Sequence, residues 1–165
     1  MRMKSRTAIV TGAASGIGRA VALELVKSGL NVCLFDRCKQ GLSQTEDVIR
    51  SQHVTRICGD VTSSRDVARL FDHVHECFQK PAHVLVNSAG ITRDGWIWDM
   101  EDTQWREVLE VNLTGSFLCI REFAQQYIKA DGSNKEGSHE GKDKSIINIS
   151  SIVRLSICCL LLIPM

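Results

Sequence analysis

The sequence predicts an α/β protein built on a doubly wound parallel sheet. Three observations carry this. Short runs that are apolar on consecutive residues recur along the chain, as in strands covered on both faces. Longer amphipathic stretches separate them, so strand and helix alternate. A glycine-rich turn joins the first run to the first such stretch.

Taken in order, Thr7–Val10 is the first predicted strand. The basic start before it has no apolar core or cleavage site and reads as a lead-in rather than a signal peptide. A helix follows with Ile17, Val21 and Leu25 on one face, stopping near Gly29. Val32–Phe35 is the second strand, 39–51 a helix of poor periodicity, and Arg56–Cys58 a weaker third strand. Val67, Leu70, Phe71, Val74 and Phe78 form a clear helical stripe, with Ser63 or Ser64 as its cap and Pro81 beyond it. Val84–Val86 is the fourth strand and Ile146–Ile149 the fifth. Between them Trp105, Val108, Leu109, Asn112 and Leu113 open a long helix. The segment 131–144 is glycine-rich and charged, and is expected to be a mobile surface loop. The apolar tail 154–165 is too short to span a bilayer.

A length of 165 residues suits one domain, and 44% hydrophobic with 24% charged residues suits a soluble globular one. The net charge is +1 with no basic stripe, which argues against nucleic acid and membrane as partners. Seven cysteines match no zinc or redox spacing, so free thiols and no metal are expected. Free thiols imply a reducing compartment, cytoplasm or mitochondrial matrix.

The strongest chemical motif runs from Thr11 to Gly18. Gly12, Gly16 and Gly18 let the backbone turn tightly and approach a pyrophosphate, and Ser15, Gly16 and Ile17 open a helix whose N–H groups face an anion. The spacing is Gly-x-x-x-Gly-x-Gly, so an ordinary glycine turn is the competing reading. Asp36 ends the second strand, where a carboxylate accepts hydrogen bonds from ribose hydroxyls and repels a 2′-phosphate. That favours NAD(H). Arg37 beside it could pair with a phosphate and keeps NADP(H) open.

The Thr11–Gly18 motif, then Gly59-Asp60-Val61, Asn87-Ser88-Ala89-Gly90, Asn112 in Val-Asn-Leu, and Ile147-Asn148-Ile149-Ser150-Ser151 come in an order and spacing that resemble the short-chain dehydrogenase/reductases over residues 6–153. The runs around Gly90 and Ile147 are most similar to 3-oxoacyl-[acyl-carrier-protein] reductases and related hydroxysteroid dehydrogenases. The resemblance implies a Rossmann-like sheet of about five strands in the order 3-2-1-4-5. It implies that Asp60 binds the adenine amino group with Val61 beside the ring, and that Asn87, Ala89 and Gly90 shape the cofactor's seat on the fourth strand. It gives Asn112 a relay water to hold and Ser151 the substrate carbonyl. Taken without the family, Asn112 is a helix-bending amide and Ser151 a helix cap. The implied substrate is a small molecule, a 3-oxoacyl thioester or a hydroxysteroid, and the implied assembly a homo- or heterotetramer.

The family's proton donor is a tyrosine about thirteen residues after that serine, with a lysine one turn later on the same helix face. Position 164 here is proline, and the chain's one tyrosine, Tyr127, reads as a packing residue. The match is lost after Val153, and a C-terminally truncated chain is the expectation. Three readings therefore stand: part of an oxidoreductase, a nucleotide-binding module without turnover, and an unstable fragment.

Overall fold

Residues 6–131 and 144–150 are described by the structure, a computed structural model. The expected loop between 131 and 144, Ser151 and the apolar tail lie outside the described residues, apart from the loop's two end residues.

Five strands, β1 (Thr7–Thr11), β2 (Asn31–Asp36), β3 (Val54–Cys58), β4 (Val84–Asn87) and β5 (Ser145–Asn148), form one sheet in the order β3-β2-β1-β4-β5. All pairings are parallel. Connecting them are α1 (Gly16–Lys27), α2 (Lys39–Ile49), α3 (Ser64–Phe78), α4 (Asp102–Leu109) and α5 (Gly115–Asp131), the last two joined by a π-helical turn at Glu110–Thr114.

β1 is central and every one of its residues is buried. Its alternate side chains enter two cores. Ile9, with Cys33, Phe35 and Leu85, packs under α3 and α5 against Leu70, Phe71, Leu118 and Phe123. Ala8 and Val10, with Val32, Leu34 and Val86, pack on the other face against Ala22 of α1 and Leu42 of α2. This explains the unbroken apolar runs: neither face of the central strands meets water. The edges differ. β3 is half-buried, and all four residues of β5 are exposed among the described residues, contrary to a strand covered on both faces.

Local signals set the helix ends. Ser63 caps α3, its hydroxyl accepting the Asp66 N–H at 3.2 Å. α1 stops at Gly29, whose φ of +88° only glycine adopts freely. There Leu30 N–H donates to the Leu25 carbonyl and Gly29 N–H to that of Val26, the double closure of a left-handed helix stop.

The long helix expected from Trp105 onward is present as one uninterrupted helical run over 102–131, α4 and α5 joined by the π-turn. Gly115, just past that turn, lies so close to Val61 that a Cβ there would stand 2.7 Å from its Cγ2. Trp105 and Leu113 are 52% and 60% exposed, so the stripe read as apolar packing faces outward at these positions.

Candidate functional site

Strand order reverses between β1 and β4, and an open parallel sheet leaves its ligand crevice at such a point, outside the C-terminal strand ends. A cleft of about 370 Å³ lies there. Its floor is Gly12, Ser15, Gly16, Ile17 and Gly18 from the β1–α1 turn. Asp36 and Arg37 line it from β2, Gly59, Asp60 and Val61 from β3, and Ser88, Ala89 and Gly90 from β4. Ile91, Val111 and Ile149 complete the wall.

The β1–α1 turn has its shape for steric reasons. Gly12 has φ +67°, and a Cβ on it would sit 2.8 Å from the backbone of Ala89. A Cβ on Gly18 would lie 2.2 Å from the Gly12 carbonyl oxygen. These two glycines let the turn close on itself and on β4. Gly16 is different: its φ is +52°, yet nothing lies within 4 Å of its Cβ position. That space adjoins the first turn of α1, where Ser15 makes no side-chain cap. The helix N-terminus is therefore open to an anion, with its N–H groups and positive dipole end facing the cleft. Ile17, expected on the packing stripe of α1, is instead 60% exposed at the cleft.

Thr11 ties this turn to β4. Its buried hydroxyl accepts N–H bonds from Ser88 and Ala89, both at 3.1 Å, and donates to the Val86 carbonyl at 3.4 Å. Asp36 ties it to β2. One carboxylate oxygen accepts the Ala14 N–H at 3.0 Å and the other the Cys38 N–H at 2.9 Å. A carboxylate has about four acceptor positions, so two stay available to ligand hydroxyls. Asp60 accepts the N–H and hydroxyl of Thr62, both at 2.9 Å through Oδ1, which holds its carboxylate at the cleft edge. Arg19 braces the turn from behind, donating to Thr45 at 2.9 Å and to the Ala14 carbonyl.

Eleven of the twelve residues expected to hold a cofactor line this one cleft. The exception is Asn87. It is buried behind the wall, its amide donating to the Asn148 side chain at 2.9 Å across the β4–β5 ladder, and its Oδ1 has no partner among the described residues. Asn112 is half-buried in the π-turn, and its side chain serves the backbone of Ile91: Oδ1 accepts the N–H at 2.8 Å and Nδ2 donates to the carbonyl at 2.9 Å. Gly90 is beside it, where a Cβ would be 3.2 Å from Oδ1.

Gly59, Ser88, Ile91, Val111 and Ile149 also line the cleft, although the sequence did not single them out as site residues. Gly59, Ser88, Val111 and Ile149 lie within the Gly59–Val61, Asn87–Gly90, Val-Asn-Leu and Ile147–Ser151 motifs, and Ile91 directly follows Gly90. The sole tyrosine, Tyr127, donates its hydroxyl to the Ala82 carbonyl, before β4 and at the sheet end opposite the cleft. Burial pushes its phenol up to about 12. Among the described residues no cluster of three metal-ligating side chains occurs, and no helix is long and apolar enough to cross a membrane.

The family model for short chain dehydrogenase matches residues 6–156. The chain is 36% identical over 162 residues to the (3R)-3-hydroxyacyl-CoA dehydrogenase of Canis lupus familiaris, covering 93% of this chain and 59% of that protein. It is 32% identical over 152 residues to a 3-oxoacyl-[acyl-carrier-protein] reductase of Staphylococcus aureus, covering 90% and 57%. The chain thus spans a little over half the length of these relatives. A crystal structure of a short-chain dehydrogenase/reductase from Brucella melitensis superposes with a TM-score of 0.71 at 30% identity, covering 76% of this chain and 54% of the other. One from Bacillus anthracis gives 0.77 at 25% identity, covering 88% and 55%. By fold, cleft and sequence, this chain belongs to the short-chain dehydrogenase/reductase family.

Proposed function

We propose that the chain binds NAD(H) in the cleft at the β1–β4 switch point, as the nucleotide-binding part of an oxidoreductase acting on 3-hydroxyacyl or 3-oxoacyl thioesters. The observation that carries this reading is the open space over Gly16 beside an uncapped helix N-terminus, with Asp36 on the adjoining strand end. The pyrophosphate would lie on the Gly16–Gly18 turn, the adenosine ribose on Asp36 and the adenine beside Asp60 and Val61. The bound nicotinamide supplies or accepts the hydride. Asp36 disfavours a 2′-phosphate, and Arg37 offsets it only in part.

The thioester preference follows the two named relatives, and hydroxysteroids are the other substrate class in this reading. Ser151 would polarise the carbonyl, and Asn112 would hold a relay water through the π-turn it occupies. Exposed Trp105, Leu113 and Phe117 support contact with further subunits, up to a tetramer. The proposed setting is cytoplasm or mitochondrial matrix. A second reading, binding without turnover by this chain, is favoured by the anchoring of its one tyrosine on Ala82, away from the cleft.

Fluorescence titration with NADH and NADPH tests the proposal. NADH should bind at least tenfold tighter, and Asp36→Ala should remove most of that difference. Failure of both nucleotides to saturate would overturn the binding site, and equal affinities would overturn the role of Asp36.

A further inference from the structure

We infer that Cys38 and Cys58 are a thiol pair whose oxidation to a disulfide weakens nucleotide binding; the inference rests on the dinucleotide reading above. Cys58 ends β3 directly opposite Asp36 of β2. Phe35 enters the core under α3, so Asp36 and its partner Cys58 face the other side of the sheet. There α2 packs, with its Glu46 paired to Arg56, two residues before Cys58. Cys38 is the N-cap of that helix, its sulfur accepting the Gly41 N–H at 3.4 Å. Both thiols thus sit at one corner of the fold, and both are exposed and free.

The Cys58 thiol donates to the Arg37 carbonyl at 3.3 Å. Standard peptide geometry then keeps the α-carbon of Cys38 within about 6 Å of the Cys58 sulfur. Disulfides join α-carbons about 4.4–6.8 Å apart, so the bridge forms when the turn 36–38 carries Cys38 toward Cys58. That turn holds Asp36 and Arg37, which line the cleft, and the Cys38 N–H fixes one oxygen of Asp36 at 2.9 Å. The other cysteines among the described residues do not share this position. Cys33 and Cys119 are buried, which raises both thiols and withdraws them from reaction. Cys77 is exposed but lies on α3 beside His73, on the opposite face.

The oxidant is a low-molecular-weight disulfide. One protein thiol, giving up its proton, attacks a sulfur of the reagent, forms a mixed disulfide and expels one small thiol. The second protein thiol, also losing its proton, attacks the protein sulfur of that bond and expels the other small thiol. Two protein thiols lose two electrons and two protons, and the reagent gains both. The bridge takes the Cys38 sulfur from its helix cap and draws the turn toward β3, which displaces Asp36 from the ribose position.

The test treats the reduced chain with oxidised glutathione, maps disulfides by peptide mass spectrometry and titrates NADH by fluorescence. The expected result is a Cys38–Cys58 link with NADH binding at least tenfold weaker. Dithiothreitol should restore binding, Cys58→Ser should abolish the response, and Cys77→Ser should keep it. Glutathione adducts without a 38–58 link, or a link with unchanged affinity, overturn the inference. If the reduced chain itself binds no NADH, the proposed function falls and the affinity effect with it, whereas normal binding before oxidation and no change after it removes this inference alone.

Discussion

Thr11→Val isolates one hydroxyl on which the site's geometry depends. Valine has nearly the same shape, so the volume at this 1% exposed position is kept while the acceptor is lost. Two N–H groups, those of Ser88 and Ala89, then have no protein acceptor. A buried polar group left unpaired costs about 1–3 kcal/mol. Both residues are only half-buried beside an open cleft, so water meets part of the demand and the low end applies to each. The expected destabilisation is about 2–3 kcal/mol, a large share of the roughly 5–15 kcal/mol usual for a domain. With a urea slope of about 2 kcal/mol/M, the unfolding midpoint falls by about 1–1.5 M. Thr11→Ser keeps the hydroxyl and loses one methyl, about 1 kcal/mol, so its midpoint should fall by about half as much or less. NADH should stabilise Thr11→Ser nearly as much as the parent chain and Thr11→Val less, because the 88–90 turn lines the cleft. Coincident midpoints for the two variants would refute the reasoning and show that water replaces the threonine in full.

Gly16→Ala should fold with a loss of about 1–2 kcal/mol, the cost of a left-handed backbone, yet bind NADH about tenfold less tightly; Gly18→Ala should lose about 3 kcal/mol because its methyl meets backbone, and paired urea melts and titrations separate the two. Tyr127 ionises at about 12 in the folded chain against about 10 when unfolded. The unfolded chain therefore loses this proton first, and the stability the group contributes is complete below about pH 10 and is lost as pH rises through 12. Tyrosinate absorbance from this single tyrosine, followed alongside unfolding, checks the window. Asn87→Ala should raise hydrogen exchange in β5, which loses its side-chain rung to Asn148, while changing NADH affinity less than about threefold; a larger change would make Asn87 a ligand contact.

The central sheet and the glycine turn were legible because their constraints are local. Consecutive apolar residues report burial on both faces, and glycines at 12, 16 and 18 report a turn that closes against backbone. α2 was harder for a physical reason. Its buried face is Gly41, Leu42 and Thr45, small and partly polar, because the glycine-rich turn presses on it. A Cβ on Gly41 would stand 2.7 Å from that of Ala14, and Thr45 donates to the Ala13 carbonyl at 3.0 Å. No apolar period survives such a contact. Asn112 marked a bend in its helix, but not its cause: it bonds Ile91, twenty-one residues earlier, and nothing in its own helix reveals that partner. The Asn87–Gly90 motif was legible as a unit, but the side-chain rung from Asn87 to Asn148 was not, because it depends on the β4–β5 register.

Binding and turnover are physically separable in this fold. The cleft needs β1, β2, β3 and β4 in register, and a specific contact makes each connection: Thr11 to Ser88 and Ala89, Asp36 to Ala14 and Cys38, Gly59 N–H to the Asp36 carbonyl at 3.0 Å. None of these three contacts passes through β5, although Ile149 just after it lines the cleft wall. Reduction of a ketone needs in addition a proton donor at the nicotinamide end of the cleft, and a phenol fixed on Ala82, beyond the far end of β4, cannot reach it. The same fold can therefore hold a dinucleotide through its central strands while the proton transfer depends on groups other than Tyr127. Nucleotide affinity measures the first requirement and turnover the second, so a chain that binds NADH tightly and reduces no ketone meets the first alone.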